Sequence, residues 1–120
     1  MNLSGLIQSK DWKSEKHMPV IEIEKGEEIQ VKVSVGKEIP HPNTVEHHIS
    51  WIEVYFLPDG EKNPVMLGRF DFLAHGESSR EIYTEPKVSF SFKTKKSGSI
   101  LALSYCNIHG LWENSVELKL

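Results

Sequence analysis

Cysteine and histidine residues of this 120-residue chain occur in a pattern that could bind a metal ion. The only cysteine, Cys106, lies three positions before His109, near the end of an apolar run. Thiolate is a soft ligand and imidazole a common one, so this pair can offer sulfur and nitrogen to one ion. His41 and His47 are separated by five residues across a proline turn, and His17 lies in a third segment. Each residue alone is typical of ordinary structure, but three segments that all supply ligands together predict a metal site.

The number of candidate ligands favours iron. Four imidazoles and one thiolate exceed the four ligands of a closed zinc site, which usually has more cysteines as well. A blue-copper-like electron-transfer protein is the main alternative, since such sites combine two histidines, one cysteine and usually a weak axial methionine. The residues after His109, Gly-Leu-Trp-Glu-Asn-Ser, contain no methionine, and two histidines would remain unused. Four imidazoles in a plane with one axial thiolate would leave a sixth position open for redox chemistry on a small molecule.

The elements that must position these ligands are predicted to be strands. In residues 27–35, Ile29, Val31 and Val33 alternate with polar side chains, and residues 87–94, 99–105 and 115–120 show the same period of two. This period is typical of half-buried strands. Residues 47–57 are apolar on both faces, which suits a central strand. Turn-forming stretches separate the runs, so six or seven short strands predict an antiparallel β-sandwich that gathers loops at one end.

Composition narrows the function classes. A chain of 120 residues suits one domain, which we assign to residues 1–120. A single cysteine suits a reducing compartment, and the N-terminus lacks the layout of a secretory signal, so we expect a cytoplasmic protein. The net charge of −3, with interleaved signs, argues against nucleic acid as a partner. No apolar run of about 18 residues is present, which argues against a membrane span.

Three segments resemble a known family. Glu-Lys-His-Met-Pro at 15–19, the stretch 41–56 that begins His-Pro-Asn-Thr-Val-Glu-His-His, and Cys-Asn-Ile-His-Gly-Leu-Trp-Glu at 106–113 are similar to superoxide reductases. The resemblance is to the short, one-iron type called neelaredoxin, and it covers nearly the whole chain apart from the N-terminal arm. Longer relatives carry an N-terminal desulforedoxin-like domain with four cysteines, and this chain has one cysteine.

The resemblance implies a fold and a ligand set. The fold would be an immunoglobulin-like antiparallel β-sandwich of about seven strands with a short N-terminal arm or helix. One mononuclear non-haem iron per chain, Fe²⁺ or Fe³⁺, would have an axial thiolate from Cys106 and four equatorial imidazoles, from His17, His41, His47 and His109. No role is implied for His48 or His75, and we expect both on the surface.

The resemblance also implies an activity. The enzyme would reduce superoxide to hydrogen peroxide with one electron and two protons, and without producing oxygen. Lys16 would attract superoxide and help to deliver a proton, and Glu15 would bind oxidised iron as a sixth ligand and leave on reduction. Electrons would come from a rubredoxin-type protein. The short type is commonly a homotetramer, to whose contacts the apolar strands 47–57 and 88–92 and Trp12 would contribute.

Overall fold

Two antiparallel sheets pack face to face in the computed structural model, which describes residues 1–9 and 15–120. One sheet has the order β1-β2-β5 and the other β4-β3-β6-β7. The immunoglobulin-like antiparallel β-sandwich that we predicted is confirmed. Within the described residues the strands are β1 (Pro19–Glu24), β2 (Ile29–Val35), β3 (Ile49–Pro58), β4 (Val65–Asp71), β5 (Lys87–Phe92), β6 (Gly98–Cys106) and β7 (Gly110–Leu118).

Alternation along the strands produces one apolar core between the sheets. In the three-stranded sheet Val33 pairs with Ile21 of β1 and with Val88 of β5, so these side chains share the inner face. Opposite them, Ile52 and Ile100 of the four-stranded sheet are completely buried. Burying one such side chain stabilises the fold by roughly 1.5–3 kcal/mol. The core therefore gives the loops at its ends a rigid support.

The register of β6 determines where the cysteine lies. Ile100, Ala102 and Ser104 are buried on the inner face of this strand, whereas Leu101 and Leu103 are half-buried on the outer face. Cys106 is the last inner-facing residue and pairs with Ile49 of β3 and Gly110 of β7. Its thiol is therefore held at the end of the core, between two neighbouring strands, and has no exposed surface.

The N-terminal arm begins with a short 3-10 helix, Leu3–Leu6, and then runs along the free edge of β7. The Gln8 N–H donates to the Leu111 carbonyl at 2.9 Å, and the Glu113 N–H donates to the Gln8 carbonyl at 2.9 Å. A second 3-10 helix, Glu77–Ser79, lies in the connection between β4 and β5. Among the described residues, no helix has the length and apolar character needed to cross a bilayer.

One prediction about outward apolar surface is wrong. Val88, Phe90 and Phe92 pack against the core, because β5 faces the opposite sheet with these residues. The outward apolar side chains lie instead on the four-stranded sheet, where Trp51 and Tyr105 stack with ring centroids 5.6 Å apart. Trp12, which we also predicted to contribute, lies outside the described residues.

A glycine behind His41 offers a test of this packing. Gly36 has φ +85°, and a Cβ atom there would lie 2.6 Å from the main-chain nitrogen of His41. Gly60 has a similar φ of +79°, but no described atom lies within 4 Å of its Cβ position. We expect Gly60→Ala to lower the free energy of unfolding by about 1–2 kcal/mol, the cost of the left-handed conformation. Gly36→Ala should cost about 2–4 kcal/mol, because the His41 backbone must also move. Denaturant unfolding measures the free energy of unfolding of both variants. Equal losses of this free energy would show that the His41 backbone moves without a further cost.

Candidate metal centre

Four imidazole rings surround one point at the end of the sandwich. Neighbouring ring centroids are 4.8 Å apart for His17 and His41, and also for His41 and His47. The circuit closes through His109, whose centroid is 5.0 Å from that of His47 and 4.8 Å from that of His17. The His17–His47 diagonal is 6.5 Å, against about 6.8 Å for a flat square with these edges. The rings therefore form a nearly square arrangement in the order 17, 41, 47, 109.

Hydrogen bonds on the outer side decide which ring nitrogens face the centre. Nδ1 of His17 lies 2.5 Å from Oε1 of Glu15, and Nδ1 of His41 lies 2.7 Å from the Pro42 carbonyl oxygen. Both contacts require Nδ1–H as the donor, which leaves a lone pair on Nε2. A partner on the second nitrogen is the usual way in which proteins orient metal-binding histidines.

Two of the inward nitrogens have no hydrogen-bond partner in the part of the chain that the structure describes. Nε2 of His41 and Nε2 of His47 are buried and make no hydrogen bond to any described residue. A buried polar atom without a partner costs about 1–3 kcal/mol, so such atoms are uncommon unless a ligand satisfies them. Nε2 of His17 and Nδ1 of His109 are 3.1 Å apart. Two nitrogens bound at right angles to one ion are separated by about 3.0 Å, so this pair also fits a shared ion.

The sulfur completes the ligand set. The ligand atoms of His17, His41, His47 and Cys106 all lie within 4.8 Å of one another. Cys106 Sγ is 3.8 Å from Nδ1 of His109 and accepts the His109 N–H at 3.4 Å. A backbone N–H that follows the cysteine in the chain thus reaches its sulfur. The structure thus brings all five predicted ligands together, and this mixture of nitrogen and sulfur suits a transition metal.

The charge state of the rings is compatible with metal binding. The pKa of His41 is lowered to about 4, chiefly by burial. The neighbouring His17 and His47 and the Lys16 charge contribute to this lowering of the pKa, and the Pro42 hydrogen bond opposes it. Burial also lowers the pKa of His47, with contributions from His109 and Lys16. At neutral pH both rings are unprotonated, so their nitrogens can bind an ion without first losing a proton.

Asn107 connects two of the ligand loops, a role that the sequence analysis missed. Its Oδ1 accepts the His48 N–H at 2.8 Å, and its Nδ2 donates to the Glu46 carbonyl at 3.0 Å. Its own N–H donates to the His48 carbonyl at 3.2 Å. Because Asn107 follows Cys106 directly, these bonds fix the position of His47 relative to the sulfur. Its place inside the Cys-x2-His spacing was the only signal in the sequence.

Trp112 contacts two predicted ligands on the side away from the centre. The sequence analysis did not identify this role. Its ring stacks on His17, with centroids 4.8 Å apart and planes at 13°. Its Nε1–H donates to the His109 carbonyl at 3.2 Å, and Nε2 of Gln8 donates to the same oxygen at 2.9 Å. The arm and Trp112 therefore jointly hold the loop that carries His109.

Glu15 and Lys16 lie beside the centre in different relations to it. The Glu15 carboxylate accepts the His17 N–H at 2.5 Å and the Met18 N–H at 3.2 Å, besides its contact with the His17 ring. Burial acts to raise the pKa of Glu15, but these hydrogen bonds outweigh it and the pKa is lowered. In this structure Glu15 orients a proposed ligand, and its binding to oxidised iron stays a prediction. Lys16 is half-buried and close enough for its charge to lower the pKa of His41 and His47.

The expected surface position of His75 is wrong. Only 5% of its area is exposed, and its ring stacks on that of half-buried His48 at a centroid distance of 3.6 Å. The connection between β4 and β5 folds over His75, a long-range contact that local strand patterns do not reveal.

Comparisons with known proteins agree with this geometry. The model of the desulfoferrodoxin family matches residues 9–115. A superoxide reductase from Pyrococcus furiosus is 60% identical, over 98% of this chain and 99% of its own length. A neelaredoxin from Megalodesulfovibrio gigas is 46% identical, over 100% of this chain and 99% of its own. The reduced neelaredoxin structure from Archaeoglobus fulgidus superposes with a TM-score of 0.91 at 55% identity, covering 96% of this chain and 99% of that one.

The lowered pKa of His41 predicts how stability depends on pH in metal-free protein. Its ordinary pKa is 6.5 and its folded pKa about 4, so the unfolded chain binds more protons between these values. The free energy of unfolding should therefore fall as the pH is lowered from about 6.5 to about 4. Denaturant unfolding over this range, compared between the wild type and His41→Gln, isolates the contribution. The variant should show a shallower decline; identical slopes would contradict the assignment.

Proposed function

Since this chain belongs to the desulfoferrodoxin family, we propose that it is a superoxide reductase that converts superoxide to hydrogen peroxide at one iron ion. The observation that carries the proposal is the square of four imidazoles with a buried sulfur beside it. The relatives that match the whole chain are themselves named superoxide reductase or neelaredoxin. The protein is thus an oxidoreductase with a metal cofactor, and residues 1–120 are proposed to act as one domain.

The proposed ligand atoms follow from the hydrogen bonds around the rings. Nε2 is the available nitrogen of His17 and His41, because Nδ1 is engaged in both. For His47 it is Nε2, the buried nitrogen that has no described partner. For His109 it is Nδ1, which lies next to both His17 Nε2 and Cys106 Sγ. Bound Fe²⁺ would supply the single electron that superoxide takes up.

Cys106 is proposed to tune that electron transfer. A thiolate donates charge to a metal more strongly than imidazole does, and hydrogen bonds to the sulfur moderate the donation. The His109 N–H at 3.4 Å is such a bond. Because the thiol is completely buried, water does not compete for this contact.

Lys16 is proposed to guide the substrate. Superoxide is an anion and the chain has a net charge of −3, so a local positive charge must counter the overall repulsion. Positive charge near a site can raise association rates by about 10 to 10³. The Lys16 charge contributes to the lowered pKa values of His41 and His47, which supports a role for it near the centre. Peroxide formation also consumes two protons, and Lys16 can pass one of them through water.

Glu15 is proposed to have two roles. Its hydrogen bond to Nδ1 keeps the His17 ring in the orientation that aims Nε2 at the centre. Binding to oxidised iron as a sixth ligand would require the carboxylate to give up this bond and the two main-chain N–H bonds. Hydrogen bonds to a charged group each contribute about 1.5–3 kcal/mol, so such a movement needs a compensating metal bond.

The partners are proposed from the chemistry and the exposed surfaces. Each turnover consumes one electron, so a donor must dock at the iron end, and a rubredoxin-type protein is the donor that we propose. A homotetramer is proposed as the assembly, with the outer face of the four-stranded sheet around Trp51 and Tyr105 as a candidate contact. We propose a cytoplasmic location from the single free cysteine. A blue-copper-like protein is not favoured, because four imidazoles surround the centre where such a site uses two.

Metal content and stoichiometry test the proposal directly. Native protein should contain one iron per chain and, with excess reductant, form one peroxide per superoxide without oxygen. Cys106→Ser should reduce the activity by at least about 100-fold, since losing a ligand should exceed the effect of an outer contact. Ala102→Ser, which places a hydroxyl on the same buried face of β6, is the matched control and should keep iron and activity. Stoichiometric copper, or one peroxide for every two superoxides, would refute the proposal.

The role of Lys16 has its own test. Lys16→Gln should lower the second-order rate constant with superoxide by about 10-fold and weaken its decrease with ionic strength. Lys119→Gln makes the same change in net charge at the opposite end of β7, where the side chain is 81% exposed. Stopped-flow measurements at several salt concentrations compare the two variants. Equal rate losses would mean that overall charge, and not the position of Lys16, governs the encounter.

A further inference from the structure

His75 is a buried histidine that the proposed reaction does not use. It lies in the connection between β4 and β5, with 5% of its area exposed. Nε2 is 2.7 Å from the Phe72 carbonyl oxygen, and Nδ1 is 2.7 Å from Oδ1 of Asn43. Both ring nitrogens are engaged, so His75 has none free to bind a metal. Its contacts instead lead towards the metal centre.

Asn43 connects His75 to the segment 41–48, which carries two proposed ligands. Besides facing His75, its amide donates through Nδ2 to the Thr84 carbonyl at 3.1 Å. The connection between β4 and β5 therefore holds Asn43 through His75 in either protonation state of the ring, and through Thr84 as well when both ring nitrogens carry a proton. Because Asn43 is two residues from His41, these contacts restrain the backbone that aims the His41 ring.

His48 gives the same segment a second contact with His75. The two rings are stacked with centroids 3.6 Å apart and planes at 6°. Nδ1 of His48 also lies 2.9 Å from the Thr44 carbonyl, so the stacked ring is tied back to its own loop. Rings this close are in direct van der Waals contact, so each restrains the orientation of the other. His75 thus contacts both Asn43 and His48, and His47 lies between these two residues in the sequence.

Hydrogen bonds within the connection between β4 and β5 hold His75 in place. The Thr84 N–H donates to the Ala74 carbonyl at 2.8 Å, and the Ala74 N–H donates to Oγ1 of Thr84 at 3.1 Å. The His75 N–H donates to a Glu77 carboxylate oxygen at 2.7 Å. His75 can restrain the segment 41–48 only if its own backbone is fixed, and these hydrogen bonds fix it.

The contact with Asn43 tolerates either protonation state of the ring. The Phe72 carbonyl can only accept, so Nε2 carries a proton. If Nδ1 also carries one, it donates to Oδ1 of Asn43. If not, the Asn43 amide can turn and donate through Nδ2, at the cost of its bond to Thr84. In both states the ring and the amide remain joined.

We propose that His75 is a positioning residue for the metal centre, which holds His41 and His47 in their binding orientation through Asn43 and His48. The inference rests on the proposed metal site but not on the identity of the substrate. Outer contacts of metal ligands typically contribute about 10- to 100-fold to metal affinity. Because His75 acts through one further residue, an effect near the lower limit is expected.

Cobalt binding to metal-free protein tests the proposal without relying on catalysis. Co²⁺ bound by a thiolate absorbs light, so a titration reports both its dissociation constant and the position of the absorption band. His75→Ala should raise the dissociation constant by about 10-fold and shift the band. His75→Gln, whose amide can still donate to Phe72, should recover part of the affinity. Val116→Ala, a core change towards the other end of β7, should lower stability but leave both readouts unchanged.

Two outcomes would overturn the proposal. One is a dissociation constant for His75→Ala that stays within about threefold of the wild type, a difference below 1 kcal/mol. The other is an equal loss of affinity in Val116→Ala, which would show that general destabilisation is responsible. If His75→Ala does not fold, Asn43→Ala removes the same link and must weaken Co²⁺ binding by a similar factor. A wild type that binds Co²⁺ but does not consume superoxide would contradict the proposed function alone.

Discussion

Two buried imidazole nitrogens that have no hydrogen-bond partner within residues 1–9 and 15–120 impose the main constraint on this structure. Nε2 of His41 and Nε2 of His47 are removed from water and face the same point as His17 and His109. Leaving them unsatisfied costs the folded state free energy, and binding an ion recovers it. The fold thus maintains an arrangement that a bound metal ion would stabilise.

Contacts outside the centre hold three of the predicted histidine ligands and join two of the loops that carry them. Glu15 holds the His17 ring, the Pro42 carbonyl holds the His41 ring, and Trp112 holds the carbonyl of His109. Asn107 joins the loop before β3 to the loop after Cys106. Glu15 and the Pro42 carbonyl contact ring nitrogens, so they set both the tautomer and the direction of their rings before any ion arrives. A small change of charge on the metal then needs little rearrangement of the protein.

Electrostatics around the centre oppose the overall charge of the molecule. The chain is net negative, yet Lys16 lies close enough to the rings to disfavour their protonation. Burial does most to keep the imidazoles neutral, and the Lys16 charge adds to this effect. The short segment Glu15-Lys16-His17 therefore combines an orienting carboxylate, a positive charge and a predicted ligand.

The sequence by itself determined the local structure and the ligand types. Strand alternation, as at Ile29, Val31 and Val33, reports which residues share a face, because successive side chains of a strand point in opposite directions. The three motifs identified the five candidate ligands. The tertiary structure alone decided the order of the rings, the nitrogen that each ring presents, the inward face of Phe90 and the burial of His75. These features depend on loops from distant parts of the chain meeting at one end of the sandwich, and a period of two residues carries no information about such encounters.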